Sequence, residues 1–246
     1  MTEGLTGRVV MVSGAAAGMG AAIIDALAEA GARISLTDRA EDALSAMTPR
    51  LPSEALVMTS DLSAASGARS WTEATSERFG RIDALVSVAG AWQIKDFLDV
   101  EEADLELMLA ANLKTAFNAA QAVAPRMIAQ GAGSIVNFAS TAGQYGSISP
   151  ATHYAAAKGA VIAMTKSLAR ELSPLGVRVN AVSPGPIDTA ALAGGRPIDR
   201  QRVADRTLVG RLGTPTDIAA AVMYLVGEGS TFVTGHVLGV NGGSLL

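Results

Sequence analysis

Short apolar runs alternate along this chain with longer stretches whose apolar residues return every three or four positions. A run of the first kind reads as a strand buried on both faces, and a stretch of the second as a helix packed by one side. The runs fall at 8–12, 32–38, 55–60, 82–88, 134–138, 177–182 and 236–240. Helical stretches lie between them at 21–32, 71–79, 101–124, 152–172 and 214–225. The alternation runs from end to end without a repeat, low-complexity segment or linker, so residues 1–246 are expected to form one α/β domain. Residues 190–206 mix Gly, Pro and charge without periodicity. At the carboxyl edge of a sheet such a segment is either a substrate lid or an ordinary surface loop, and a lid is expected here.

Composition narrows the chemistry. Hydrophobic residues make up 49% of the 246 and charged ones 17%, which suits much buried surface and leaves room for subunit contacts. With no cysteine there is no disulfide, thiolate metal site or cysteine nucleophile, and two histidines (His153 and His236) make a zinc site improbable. No metal is expected. A net charge of -4 without a basic cluster argues against nucleic acid. No apolar run reaches the roughly 18 residues of a membrane span, and the first residues do not resemble a signal peptide. A cytoplasmic protein without a membrane partner is expected.

Three groups of residues carry candidate chemistry. Tyr154 and Lys158 stand at i and i+4 of a helical stretch, so the ammonium shares a face with the phenol. A cation within about 4–6 Å favours the phenolate and brings its pKa down toward neutrality, which suits proton transfer. Ser140, at the end of the fifth strand, can offer a hydroxyl to the oxygen that gains or loses the proton. The second group is Ser13-Gly14-Ala15-Ala16-Ala17-Gly18-Met19-Gly20, set between the first strand and a helix. Gly14 permits a tight turn, Gly18 lets backbone approach a pyrophosphate, and Gly20 lets helix and strand pack closely. The third group lines up at the ends of later strands: Asp38, Asp61-Leu62 and Ala89-Gly90. A carboxylate at Asp38 can accept the adenosine ribose hydroxyls and repel a 2′-phosphate, favouring NAD; Arg39 beside it would attract that phosphate. Asp38 is weighed more heavily, so NAD is expected and NADP less so, although Asp also serves as a helix cap. Asp61 stands either beside the adenine or as a cap, and Trp92 either faces substrate or acts as a packing lid. Asn112, weak as a helix former, reads by chemistry alone as a helix Asn bonded to a neighbouring segment.

Together, and in this order, these motifs resemble the short-chain dehydrogenase/reductase family over essentially the whole chain. The resemblance rests on 13–20, Asp38, Asp61-Leu62, Ala89-Gly90, Asn112, Ser140, Tyr154-x-x-x-Lys158 and the stretch from Pro184 to Thr189. It implies a doubly wound Rossmann domain, with seven parallel strands and helices on both faces, binding a dinucleotide across their carboxyl ends. It also implies that Tyr154 is the general acid/base, Lys158 lowers its pKa and holds the nicotinamide ribose, and Ser140 polarises the substrate oxygen. Asn112 would distort its helix to hold a water linking Lys158 to solvent. Pro184, Gly185, Ile187 and Thr189 would contact the nicotinamide side. One departure stands out: where the family usually has Asn-Asn-Ala-Gly, this chain has Ser87-Val88-Ala89-Gly90, which puts local bracing of the central strands in question.

The expected reaction is hydride transfer between NAD(H) and a small-molecule secondary alcohol or ketone. A second enzyme reading is a 3-oxoacyl carrier-protein reductase, which the chain resembles in length and layout. That branch docks an acidic carrier through basic residues, and the matching places here are Gly131 and Leu175. A reading from another class is a dinucleotide sensor or scaffold without chemistry. Gln144, Tyr145, Leu192 and Trp92 are candidate substrate contacts by their place near the active edge. The resemblance further implies a homotetramer, associating through the helices around 101–124 and 152–172.

Overall fold

The computed structural model describes residues 4–193 and 198–244. In chain order its elements are β1 (Val9–Ser13), α1 (Gly18–Glu29), β2 (Arg33–Asp38), α2 (Glu41–Met47), β3 (Leu56–Thr59) and α3 (Ala65–Phe79). Then follow β4 (Ala84–Ser87), α4 (Glu102–Leu109), α5 (Thr115–Gln130), β5 (Gly133–Phe138), α6 (Thr141–Tyr145) and α7 (Thr152–Leu172). The chain closes with β6 (Val177–Pro184), α8 (Arg200–Ala204), α9 (Pro215–Val226) and β7 (Val237–Val240). The strands pair in parallel in the order β3-β2-β1-β4-β5-β6-β7. This is the single doubly wound α/β domain expected.

Period-two alternation explains why helices cover both faces. Val10 and Val12 of β1, Val86 of β4 and Val136 of β5 pack in one core with Ile23 and Leu27 of α1 and Val222 of α9. Met11, Leu85 and Ile135, the residues between, pack in a second core with Trp71 of α3, Val123 of α5 and Ala169 of α7. A strand buried on both sides reads as a near-continuous apolar run, and β1, fully buried along its length, is apolar up to Ser13 at its end. The chain reverses its winding between β1 and β4, which pair through Ser13 and Ser87 at their carboxyl ends. Connections leaving a sheet in opposite directions open a crevice there.

Local chemistry sets the helix ends. Thr214 caps α9 through the Asp217 N–H, Asp217 answers to the Thr214 N–H, and Pro215 opens the helix. The helix over 152–172 appears with those bounds. The single helix expected over 101–124 does not. It divides into α4 and α5 around a π-turn at Ala110–Lys114, and α5 runs on until Gly131 turns left-handed. Of the expected lid, 194–197 lie outside the described residues; its flanks are a 3₁₀ turn at Ala190–Ala193 and α8, joined to Asp188 through an Arg200 ion pair. Among the described residues no helix is long and apolar enough to cross a membrane.

Candidate active site

A cleft of about 410 Å³ runs along the carboxyl ends of β1, β2 and β4. Its floor is backbone. Gly14, at φ +65°, turns the chain out of β1 so closely against the loop after β4 that a Cβ there would stand 2.5 Å from the Ala89 nitrogen. Ser13, buried beneath, accepts a 3.4 Å hydrogen bond from that N–H. Gly20 lies against Gly14, a Cβ there falling 2.0 Å from the Gly14 carbonyl oxygen, so α1 starts directly on the turn. No side chain caps α1 and no acid lies in its first turn. A floor of main chain at Gly14 and Gly20, with no room for a side chain at either and faced by an uncapped helix N-terminus, fits a pyrophosphate. Gly18, also at positive φ, lies opposite Thr189, which reaches in from the segment after β6.

Asp38 stands at the cleft with its carboxylate already engaged. One oxygen accepts from the Ala16 N–H at 3.1 Å, the other from the N–H groups of Arg39 at 2.7 Å and Ala40 at 3.1 Å. It therefore braces the glycine-rich turn and the approach to α2, while retaining lone pairs for further donors. The exposed Arg39 guanidinium lies 4.0 Å from the Asp61 carboxylate. Asp61 itself accepts from Ser63, whose hydroxyl first and whose N–H second, the latter at 2.9 Å, hold its carboxyl below the usual range. It forms a turn before α3 and does not line the cleft, whereas Leu62 does.

Tyr154, Lys158, Ser140 and Asn112 come from three separate elements and meet near one end of this cleft. Lys158 is buried on α7 and donates to the Phe138 carbonyl at 2.8 Å, which fixes the ammonium at the end of β5. Its Nζ lies 5.9 Å from the centre of the Tyr154 ring. Ser140 caps α6, its Oγ accepting from the Ala142 N–H at 3.1 Å, and its hydroxyl is also hydrogen-bonded with Tyr154. Gly143 lets α6 lie directly on α7, since a Cβ there would meet the Lys158 carbonyl carbon at 2.6 Å. Asn112 occupies the π-turn, donates to the carbonyls of Ala91 and Met108 at 3.0 Å each and accepts from the Ala91 N–H at 3.3 Å. A side chain at Gly90 would sit 2.6 Å from Asn112 Oδ1 and 3.4 Å from Lys158 Nζ, so Gly90 is the gap in which both face the cleft.

Burial reverses one expectation from spacing. It pushes the Tyr154 phenol above its ordinary value, opposed only by hydrogen bonding with Ser140. Burial also pulls Lys158 down to about 8. The cation four residues away does not outweigh desolvation of the phenol.

Other expected residues are distributed unevenly. Gly14, Gly18, Met19, Asp38, Arg39, Leu62, Ala89, Gly90 and Thr189 line the cleft. Pro184, Gly185 and Ile187 are occupied with backbone: Gly185 donates to Val240 at 3.0 Å, and the buried Ile187 forms a bridge with Gly213. Trp92 meets Tyr154 edge to face, ring centres 4.8 Å apart. Gln144 accepts from Ser183 Oγ at 2.6 Å, Tyr145 is exposed at the end of α6, and Leu192 lies half-buried in the 3₁₀ turn. Leu107, Ala111 and Thr115 also line the cleft, although no sequence motif marks them. Their i, i+4, i+8 spacing marks a helix face, but nothing in it says what that face meets.

Residues 14–244 match the family model described as enoyl-(acyl carrier protein) reductase. The chain is 35% identical over 245 residues to the 3-oxoacyl-(acyl-carrier-protein) reductase of Thermotoga maritima, covering 98% of this chain and 99% of that one. It is 36% identical over 245 residues to nodulation protein G of Azospirillum brasilense, covering 96% and 97% of the two chains. It is 35% identical over 249 residues to the 2,3-dihydroxy-2,3-dihydro-p-cumate dehydrogenase of Pseudomonas putida, covering 98% and 96%.

Proposed function

We propose that this chain, which belongs to the short-chain dehydrogenase/reductase family of oxidoreductases, interconverts a secondary alcohol and a ketone with NAD(H), using Tyr154 as general acid/base. The observation that carries this reading is the convergence of Tyr154, Ser140 and Lys158 beside a cleft floored by the Gly14–Ala89 approach. When bound there, the nicotinamide supplies or accepts the hydride. Tyr154 gives a proton to the substrate oxygen in reduction and takes it in oxidation. Ser140, whose acceptor side is occupied by Ala142, donates to the same oxygen and stabilises its developing charge. Lys158, held on Phe138, keeps positive charge near the phenol and offsets part of the cost of forming a phenolate in a buried place. Asn112 holds the loop after β4 in place, and its π-turn is the helix distortion the family resemblance implies.

NAD is favoured over NADP because a 2′-phosphate would approach the Asp38 carboxylate, and the nearby cation, Arg39, leans on Asp61. The Thermotoga maritima relative favours a second reading, reduction of a 3-oxoacyl group on a carrier protein. Against it, the two places expected to hold basic docking residues carry Gly131, which ends α5, and a half-exposed Leu175. We also infer a homotetramer. Large apolar side chains are exposed in two separate regions, Leu105 and Phe117 on α4 and α5, and Tyr224 and Phe232 on and after α9, as two kinds of subunit contact require.

The test is nicotinamide absorbance during incubation with NAD(H) or NADP(H) and two panels, secondary alcohols with their ketones and 3-oxoacyl thioesters. Turnover of the first panel with NAD(H) supports the reading. Turnover of thioesters alone supports the second, and NADH binding without turnover of either supports a sensor.

A further inference from the structure

Between β4 and α4 the chain crosses the start of α7 as a strap at residues 91–95, without regular structure of its own. It is fastened at every residue but two. Ala91 is bonded through both backbone groups to Asn112. The Lys95 N–H donates to Pro150 at 2.8 Å, and its ammonium pairs with Asp104 on α4. Between these points Gln93 Oε1 lies 3.1 Å from Nε2 of the buried His153, and Gln93 Nε2 donates to Asp104 Oδ1 at 3.2 Å. Two consecutive residues of the strap thus meet two consecutive residues of α7: Gln93 meets His153, and Trp92 meets Tyr154.

Hydrogen-bond directions in this chain are forced. Asp104 is ionised, its carboxyl held down to about 2 first by Lys95 and then by the Glu101 N–H, so it can only accept. Gln93 must therefore turn its amide nitrogen to Asp104 and its oxygen to His153. His153 then carries its proton on Nε2 and donates. Its Nδ1 is buried without a protein partner, so the ring is held from one side alone. An Asp–Gln–His relay of fixed polarity holds the Gln93 side chain at both ends, and with it the backbone that carries Trp92.

We infer that Gln93, backed by Asp104 and His153, is a positioning residue that holds Trp92 against Tyr154 and so fixes the phenol at the substrate oxygen. This rests on Tyr154 being the general acid/base. The relay touches neither cofactor nor reacting atoms; it acts through the indole. A proton donor displaced by about 1 Å loses up to 100-fold in rate, so the effect belongs in turnover and not in dinucleotide affinity.

The test is a double-mutant cycle on Gln93→Leu and Trp92→Ala, read as kcat and KM with the best ketone and as NADH affinity by fluorescence. Expected are a fall in kcat of about tenfold or more for each single variant, unchanged NADH affinity, and a double variant no worse than Trp92→Ala alone. Acrylamide quenching adds a spectroscopic readout. Trp71 is fully buried and bonded to Ser35, so new quenching in Gln93→Leu reports Trp92. Should Gln93→Leu not fold, His153→Gln and His153→Phe make the comparison, since glutamine can donate to Gln93 and phenylalanine cannot. Losses that multiply in the double variant, an unchanged kcat, or equal behaviour of the two His153 variants would overturn the inference. Activity surviving in Tyr154→Phe would instead overturn the reading on which it rests.

Discussion

Lys158 and Phe138 are joined by a buried 2.8 Å hydrogen bond from ammonium to carbonyl, which sets the one buried lysine of the described residues at the carboxyl end of β5. This is an expensive place for a charge, as its pKa of about 8 records. In the unfolded chain the same group titrates near ~10.4. Between these values the unfolded state binds more protons than the folded one, so stability rises with pH across that window. Tyr154 works in the opposite direction, because burial raises its pKa, but only above pH ~10 where an unfolded Tyr ionises.

Urea unfolding of wild type and Lys158→Met should therefore diverge with pH. From about pH 7.5 to about 9.5 the wild type gains roughly 2 kcal/mol relative to the variant. Parallel stability curves would mean that the folded lysine titrates as it does in water.

Ser87 and Asn137 face each other in the β4–β5 register, and both are buried. Asn137 Nδ2 donates to Thr165 at 3.0 Å, but Asn137 Oδ1 and Ser87 Oγ have no protein partner. Here the departure from the family's Asn-Asn-Ala-Gly becomes physical: a short hydroxyl leaves the central strands without a side-chain brace. Ser87→Ala removes a buried polar group that makes no bond, so denaturant unfolding should show stability unchanged or raised by about 1 kcal/mol. A loss of more than about 2 kcal/mol would show that the hydroxyl is paired.

Asp38→Ala should weaken NADH binding by about tenfold or more while improving NADPH binding, measured by fluorescence titration. Asp38→Asn keeps the shape and an acceptor for the Ala16 N–H, so it should lose less NADH affinity but relax NADPH exclusion similarly. Unchanged affinities for both dinucleotides would remove the argument for NAD.

Much of this architecture was legible in the sequence because apolar runs long enough for a doubly buried strand are unmistakable, and all seven were read. The helix over 152–172 was legible to the residue, since alanine-rich sequence continues until Ser173-Pro174 stops it. The break at Ala110–Lys114 was not. In Ala-Ala-Asn-Leu-Lys only Asn112 is a weak helix former, too little to mark a break, and the π-turn accompanies the reach of Asn112 to a backbone 21 residues away. Asn112 illustrates both halves: chemistry alone reads it as bonded to a neighbouring segment, and its bonds to Ala91 are of that kind, whereas only the family resemblance implies a distorted helix there. The spacing of Tyr154 and Lys158 gave their common helix but not their electrostatics, because burial depends on what three other elements bring. The partners of Gln93 were equally hidden, lying 11 and 60 residues away on α4 and α7.

In the proposed mechanism the Tyr154 hydroxyl moves the proton while other groups hold the dinucleotide. Tyr154→Phe removes that one oxygen and leaves the ring that packs against Trp92. The measurement is single-turnover hydride transfer by this variant, with NADH affinity taken on the same sample. A rate reduced by about 10²–10⁴-fold is expected, at an NADH affinity within a few-fold of wild type. A rate near that of wild type would contradict this mechanism and assign the proton to another group.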